Sequence, residues 1–387
     1  MEAWSVHHLS QKAESTLGQV AAADLKAYAL RLRRAGLPII FSLGHLSKIT
    51  GVEYSLLRAT VERRREAANY RIFAIKKRSG GRRHIHAVTG ELFKAHQFIN
   101  SEVLQKMKPH PSSFAFHADG GIRACASEHC GARWLFQFDL ENFFYSVNEA
   151  DVYGVFADLG YRPLLAFEMA RICTTTRLPK HLMRFLWVGQ SKKLYGYRFY
   201  ADRSGAVGVL PQGAPTSPML SNLVARSLDE ALSAFSNQHG FVYTRYADDL
   251  TLSCGGNLPA GMSIGDIHRT VIGIIRKNGF RENYKKTRIA GPGSKKIVLG
   301  LLVDGEMPRI SKETVRRIDR HLHASEKYGF SDVACHEKFD SPIGFYNHLS
   351  GLIAFVKDVD KARWEVFHSR FLSIKSPIEV EFKAGLK

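Results

Sequence analysis

FVYTRYADDLTLSC, residues 241–254, reads as two β-strands folded back on a tight turn. Val242, Thr244 and Tyr246 alternate with Tyr243 and Arg245, and Thr251, Leu252 and Ser253 resume the strand on the far side. This reading places two neighbouring carboxylates, Asp248 and Asp249, at the turn. Adjacent acids repel unless a cation or water screens them, and a divalent metal is the simplest reason to put them there. Aspartate is also a common turn residue, so the pair alone does not separate a metal site from a solvated hairpin.

A second acid site lies upstream in WLFQFDLENFFYSV, residues 134–147. Leu135, Phe136 and Phe138 form an apolar run that reads as a buried strand, with Asp139 at its end. A carboxylate in such company is costly unless it is paired or bound to metal. It could also be a helix N-cap. Bringing Asp139 to Asp248 and Asp249 would gather three carboxylates from two strands, enough to hold two divalent ions about 4 Å apart for a displacement at phosphorus.

Composition sets the bounds. The 387 residues exceed what one compact core usually takes, so several subdomains are expected. Lys and Arg number 55 against 36 Asp and Glu, a net charge of +19, which points to a polyanion, nucleic acid before membrane. No run of 18 apolar residues offers a membrane span, and MEAWSVHHLSQKAEST lacks the basic start and apolar core of a secretory signal. Five scattered cysteines fit a reducing cytoplasm. Cys125, His129 and Cys130 lie close together, but no second ligand cluster completes a zinc site.

YADD at 246–249 and FDLENFF at 138–144 resemble the two metal-binding palm motifs of reverse transcriptases. Between them PQGAPTSPMLSN, residues 211–222, is similar to the substrate-positioning motif of bacterial retron-type and group II intron-type enzymes. The resemblance runs from about residue 70 to about residue 305, with weaker likeness at both ends. It implies an α+β fold of the right-hand polymerase kind, with fingers, an antiparallel palm sheet with helices, and a helical thumb. The expected division is an N-terminal helical segment (1–68), fingers (69–133), palm (134–153), a fingers insertion (154–206), palm again (207–305) and thumb (306–387).

By the same resemblance, Asp139 and Asp248 would ligate two Mg2+ ions, with Asp249 and the Leu140 carbonyl in support. Phe144, five residues after Asp139, matches the bulky gate that excludes a ribose 2′ hydroxyl. YRIFAIKK and RRHIHAV read as a basic hairpin around Gly80-Gly81, suited to folding over a triphosphate. There Lys77 and Arg83 best match the residues that hold the incoming nucleotide. Gln212 would be the polar contact of the middle motif with nucleotide or template. In FRENYKKTRI, Lys286, with Lys285 second, fits a lysine near the phosphates that could protonate the leaving pyrophosphate.

The ends carry further expectations. Arg58, Arg63, Arg64 and Arg65 either meet phosphates or form a solvated face. From residue 311 the chain reads as basic helices resembling a thumb, with Arg316, Arg317, Arg320 and His321 facing duplex phosphates. Two positions depart from the retron pattern: Cys125 stands for Asn in an Asn-Ala-x-x-His element, where Ala126 and His129 match, and Leu299 stands for Thr in Val-Thr-Gly. His129 itself reads better as a satisfied structural histidine than as a functional one.

The implied activity is RNA-directed DNA polymerisation from dNTPs. The product would be a short DNA on a dedicated noncoding RNA, held as an RNA–DNA hybrid, in antiphage defence with an accessory effector protein. A related defence enzyme outside the retrons, with other priming or templating, is the first alternative, and a noncatalytic RNA-binding scaffold is the second. A group II intron maturase would call for added DNA-binding or endonuclease segments that the sequence does not display.

Overall fold

The computed structural model describes residues 5–76, 80–186 and 206–377. It is an α+β protein whose centre is a four-stranded antiparallel sheet. Strands β1 (Tyr70–Lys76) and β2 (Arg82–Val88) form a separate hairpin, and the central sheet is built from β3 (Trp134–Asp139), β4 (Val242–Tyr246), β5 (Asp249–Cys254) and β6 (Arg288–Ala290), in the order β4-β5-β3-β6. A third sheet joins β7 (Ile297–Val298), β8 (Leu301–Leu302) and β9 (Arg309–Ile310).

Strand β3 lies inside because its residues demand it. Leu135, Phe136 and Phe138 are at most 1% exposed, and burying each such side chain is worth about 1.5–3 kcal/mol. One face of the sheet is closed by two amphipathic helices, Arg226–His239 and Ile264–Lys277. The first buries Leu228, Leu232 and Phe235. The second starts on a Ser263–Asp266 capping box and buries Ile267, Val271 and Ile275 at helical spacing.

The largest core continues from these residues through the helices Glu149–Asp158 and Pro163–Cys173 to Tyr28, Leu32, Leu46 and Leu57 near the N-terminus. A second core, including Ile318, Phe330, Phe345 and Phe371, holds the C-terminal helices Lys312–His336, Pro342–Lys357 and Lys361–Ser373 together. The first of those helices is broken at Gly329, where φ is 78°. A small third cluster of Ala126, Leu135, Val298, Leu301 and Val303, with Phe355 against it, lies between the central sheet and the C-terminal helices.

After the middle motif the chain forms two helices, Ser217–Val224 and Arg226–His239. Near the N-terminus the helix Tyr54–Val61 ends before Arg63, which takes a positive φ of 62°. The stretch 187–205, which includes the apolar end of HLMRFLWVG and most of YGYRFYADRSGAVGV, lies outside the described residues.

Candidate active site

The tight turn is two residues long, Ala247–Asp248, because Tyr246 pairs directly with Asp249. Asp249 is therefore the first residue of β5, not part of the turn. The same register sets Asp139 opposite Asp249 across β3 and β5, which brings the two Cβ atoms within about 4.5–5.5 Å. The Leu140 N–H donates to the Asp248 carbonyl at 2.9 Å and ties the turn to the chain leaving β3. Ala247 sits at φ 58° and Asn142, just past Asp139, at φ 52°; both are costly for residues with a side chain.

Residues 281–286 complete the surround. The Asn283 N–H donates to the Asp139 carbonyl at 2.7 Å, and its Nδ2 donates to Asp139 Oδ1 at 2.9 Å. Lys286 Nζ lies 2.5 Å from Asp139 Oδ2. Asp139 is 3% exposed, so both its oxygens are taken up by this pair of donors. The carboxyls are mutually unfavourable. Burial first, then the Asp139 charge, raises Asp248, against the opposing charges of Lys286 and Arg83. Asp249 opens to solvent, yet the crowded cleft and then the charges of Asp248 and Asp139 push it up to about 6. Burial pulls the Lys286 ammonium down, but its bond to Asp139 and the three acid charges outweigh this and raise it.

This donor set suits a hard cation. Among the described residues no three His, Cys, Asp or Glu side chains make a finished metal cage. Magnesium does not require one: it is usually held by one or two carboxylates, with substrate phosphates and water completing the shell. Among the described residues, three carboxyls facing the Lys286 ammonium leave negative charge for such an ion to neutralise. Asp139 and Asp249 open onto a cleft of about 590 Å3 lined also by Gln137, Thr251, Lys286 and Arg288.

The turn is supported from behind by a network that sequence reasoning missed. Arg245 is fully buried and meets Asp229 through Nε to Oδ1 at 2.7 Å and NH2 to Oδ2 at 2.6 Å. Its NH1 donates to Asn222 Oδ1 at 2.9 Å and to the Ala247 carbonyl at 3.2 Å, holding the turn itself. Tyr243 donates to Asp229 as well. The alternation along the strand gave no signal for it, since Arg245 sits between Thr244 and Tyr246 as an outward-facing residue would.

The other expected site residues fall out as follows. Arg83 lies on the exposed hairpin β1–β2, near enough to Asp248 to lower its pKa; Lys77 lies outside the described residues. Phe144 is half-buried, with its ring centroid 5.7 Å from Phe143 and 6.3 Å from Phe116. The Gln212 carbonyl accepts from the His86 N–H of β2 at 2.8 Å. Gly213 has φ 115°, and a Cβ there would come within 2.9 Å of Ile85, so the middle motif and the hairpin are in close contact and glycine is required.

Arg316 and Arg320 are exposed on the helix Lys312–His336, and Arg317 is half-buried with its Nε unpartnered. His321 does not face outward: it is 4% exposed, 3.7 Å from Glu337 and edge-on to Phe345. Arg63 is also withdrawn from any phosphate, since it bonds Glu149 at 2.5 Å, Glu66 at 2.8 Å and Thr174 Oγ1 at 2.6 Å. His129 is buried between Ser253 Oγ and Thr244 Oγ1, each at 2.7 Å, and burial lowers its pKa to about 4. It is a neutral clasp between β4 and β5. Cys125 Sγ approaches the same Thr244 at 3.3 Å.

Comparison with known proteins agrees with this geometry. The family described as "Reverse transcriptase (RNA-dependent DNA polymerase)" matches residues 75–303. The retron Ec86 reverse transcriptase of Escherichia coli is 28% identical over 354 residues, covering 91% of this chain and 94% of that one. The retron Mx65 reverse transcriptase of Myxococcus xanthus is 32% identical, over 86% of this chain and 72% of its own. The retron Mx162 reverse transcriptase of the same organism is 29% identical, over 97% and 76%.

Proposed function

Because the chain belongs to the reverse transcriptase (RNA-dependent DNA polymerase) family, we propose a residue-by-residue reading of its site on that premise. The enzyme is an RNA-directed DNA polymerase, a nucleotidyltransferase, of the bacterial retron type. In this reading the divisions are fingers (69–133), palm (134–153 and 207–305) with the intervening 154–206 as a fingers insertion, thumb (306–387) and an N-terminal helical segment (1–68).

Asp139 and Asp248 would hold two magnesium ions, with Asp249 and the Leu140 carbonyl in support. When bound, the ions acidify the attacking hydroxyl and neutralise the triphosphate. The primer 3′ hydroxyl gives its proton to solvent water as its oxygen bonds to the α-phosphorus of a dNTP, and the bond to the pyrophosphate oxygen breaks, releasing pyrophosphate. Lys286, an ammonium at neutral pH that lies against Asp139, exchanges Asp139 for the pyrophosphate and gives it a proton. Lys77 and Arg83 close over the triphosphate. Gln212 contacts nucleotide or template, and Phe144 crowds the sugar C2′ so that DNA is made. Arg316, Arg317 and Arg320 follow the RNA–DNA hybrid backbone.

The product is a short cDNA copied on a dedicated noncoding RNA, in the cytoplasm, serving antiphage defence with an accessory effector. Among the described residues no helix is long and apolar enough to cross a membrane. The observation that carries the reading is the register of Asp139 against Asp249, with Lys286 bonded to the first. Replacing Asp248 and Asp249 together by Ala should abolish nucleotide incorporation on a primed RNA template while RNA binding persists. Synthesis that survives the double change would remove the metal site from these residues.

A further inference from the structure

Of the six non-glycine residues with positive φ among the described residues, Asn142, Ala247 and Leu299 line or adjoin the acid cleft. A fourth, Phe116, has φ 69°. For a bulky side chain this is a genuine backbone outlier, and such strain persists only where the surroundings over-determine it. Burial does not account for it, since Phe116 is 36% exposed.

The loop that carries Phe116 is fixed at both ends. The Arg245 N–H donates to the Ser112 carbonyl at 2.7 Å, and the Phe114 N–H donates to the Arg245 carbonyl at 2.9 Å. The loop thus pairs with the strand that leads into the Ala247–Asp248 turn. It closes through the Gly121 N–H to the Phe114 carbonyl at 2.8 Å, and His117 Nε2 bonds the Ser113 carbonyl at 2.7 Å. A Cβ at Gly120 would lie 2.1 Å from the Phe114 carbonyl oxygen, so no other residue permits this closure. The result is an aromatic ring set beside Phe144, centroids 6.3 Å apart at 40°. Phe144 is otherwise backed only by Phe143, at 5.7 Å, among the described aromatic rings.

We infer that Phe116 is a positioning residue for the sugar gate: it braces the Phe144 ring and so sets how strictly the enzyme excludes a ribose 2′ hydroxyl. The inference rests on Phe144 being that gate, and the test separates the two. Single-nucleotide incorporation on a pre-annealed RNA template and DNA primer is measured with deoxy- and ribonucleotides for Phe116→Ala, Phe116→Tyr, Phe144→Ala and the double Phe116→Ala/Phe144→Ala variant. Phe116→Ala should lower the deoxy-to-ribo ratio of kcat/KM on the order of tenfold, a size set by loss of one packing contact in a pocket. Phe116→Tyr should retain the ratio, and the double variant should discriminate no worse than Phe144→Ala alone.

If Phe144→Ala lowers the ratio and Phe116→Ala leaves it unchanged, or lowers kcat/KM for both substrates by one factor, the bracing role is wrong and the gate stands. If Phe144→Ala leaves the ratio unchanged, the gate reading fails and this inference with it. Phe116→Gly adds a check on strain. Glycine adopts this φ freely, so its denaturation midpoint should be at or above that of Phe116→Ala while its discrimination is equally poor. A lower midpoint would overturn the strain argument.

Discussion

Behind the Ala247–Asp248 turn, Arg245 and Asp229 neutralise each other in a fully buried, doubly hydrogen-bonded pair. In front of it, Asp139, Asp248 and Asp249 gather three carboxyls, of which Asp139 is bonded to Lys286. The two clusters are separated by a single turn and have opposite electrostatic characters. The rear one is balanced and closed to solvent, so it can only hold shape. The front one carries surplus negative charge toward an open cleft, at a cost to the fold that a bound cation would relieve. Imbalance, more than burial, marks the working side of the turn.

The sharpest way to break this comparison is to unbalance the rear pair. Asp229→Ala leaves Arg245 buried without its partner and should destabilise the fold by about 3–5 kcal/mol, read as a lower urea midpoint. An unchanged midpoint would mean that the rear pair does not hold the turn. The front cluster should respond in the opposite sense. Asp139→Asn should reduce incorporation about 10^3-fold, roughly 4 kcal/mol of barrier, with little loss of folding stability, so activity and midpoint measured on the same preparation separate the clusters.

A smaller effect concerns pH in the absence of divalent ions. Asp249 is raised from 3.8 to about 6 in the folded state. The fold therefore binds that proton more tightly than the unfolded chain does, and the associated stability is complete below about 3.8 and lost as pH rises through about 6. Glu149, buried with Arg63 and Arg171, runs the other way. Burial raises it, but the two guanidiniums outweigh this and lower it from 4.5 to about 2, so its contribution is present above 4.5 and lost as pH falls toward 2. Denaturation midpoints across this range should show the upper decline flattened in Asp249→Asn, and an undiminished decline would reject the coupling. The smallest change is expected on the helix Lys312–His336. Arg316→Ala with Arg320→Ala should reduce the slope of log affinity against log salt by about 0.9 per lost phosphate contact, measured on an RNA–DNA hybrid.

Much of the front cluster was legible in the sequence. A buried apolar strand ending in Asp139 and an alternating hairpin around Asp248 each give a strong local signal, and their order in the chain allows only a few pairings. The rear network was not legible. Arg245 alternates with its neighbours as an outward-facing residue would, and only the Asp229 carboxylate, on a helix before the strand, turns that position inward. Arg63 and His321 misled for the same reason: a basic residue type in a basic run reads as solvated until a distant Glu149 or Phe345 is seen against it. The division between core clusters was hidden too, because the helices near the N-terminus share a core with the central sheet through residues more than 100 positions away.

The His86 N–H bond to the Gln212 carbonyl, with Gly213 pressed on Ile85, has a mechanical consequence. The β1–β2 hairpin and the loop around Gln212 and Gly213 are latched to each other. A displacement of either is passed to the other, so whatever the hairpin binds is coupled to whatever the loop contacts.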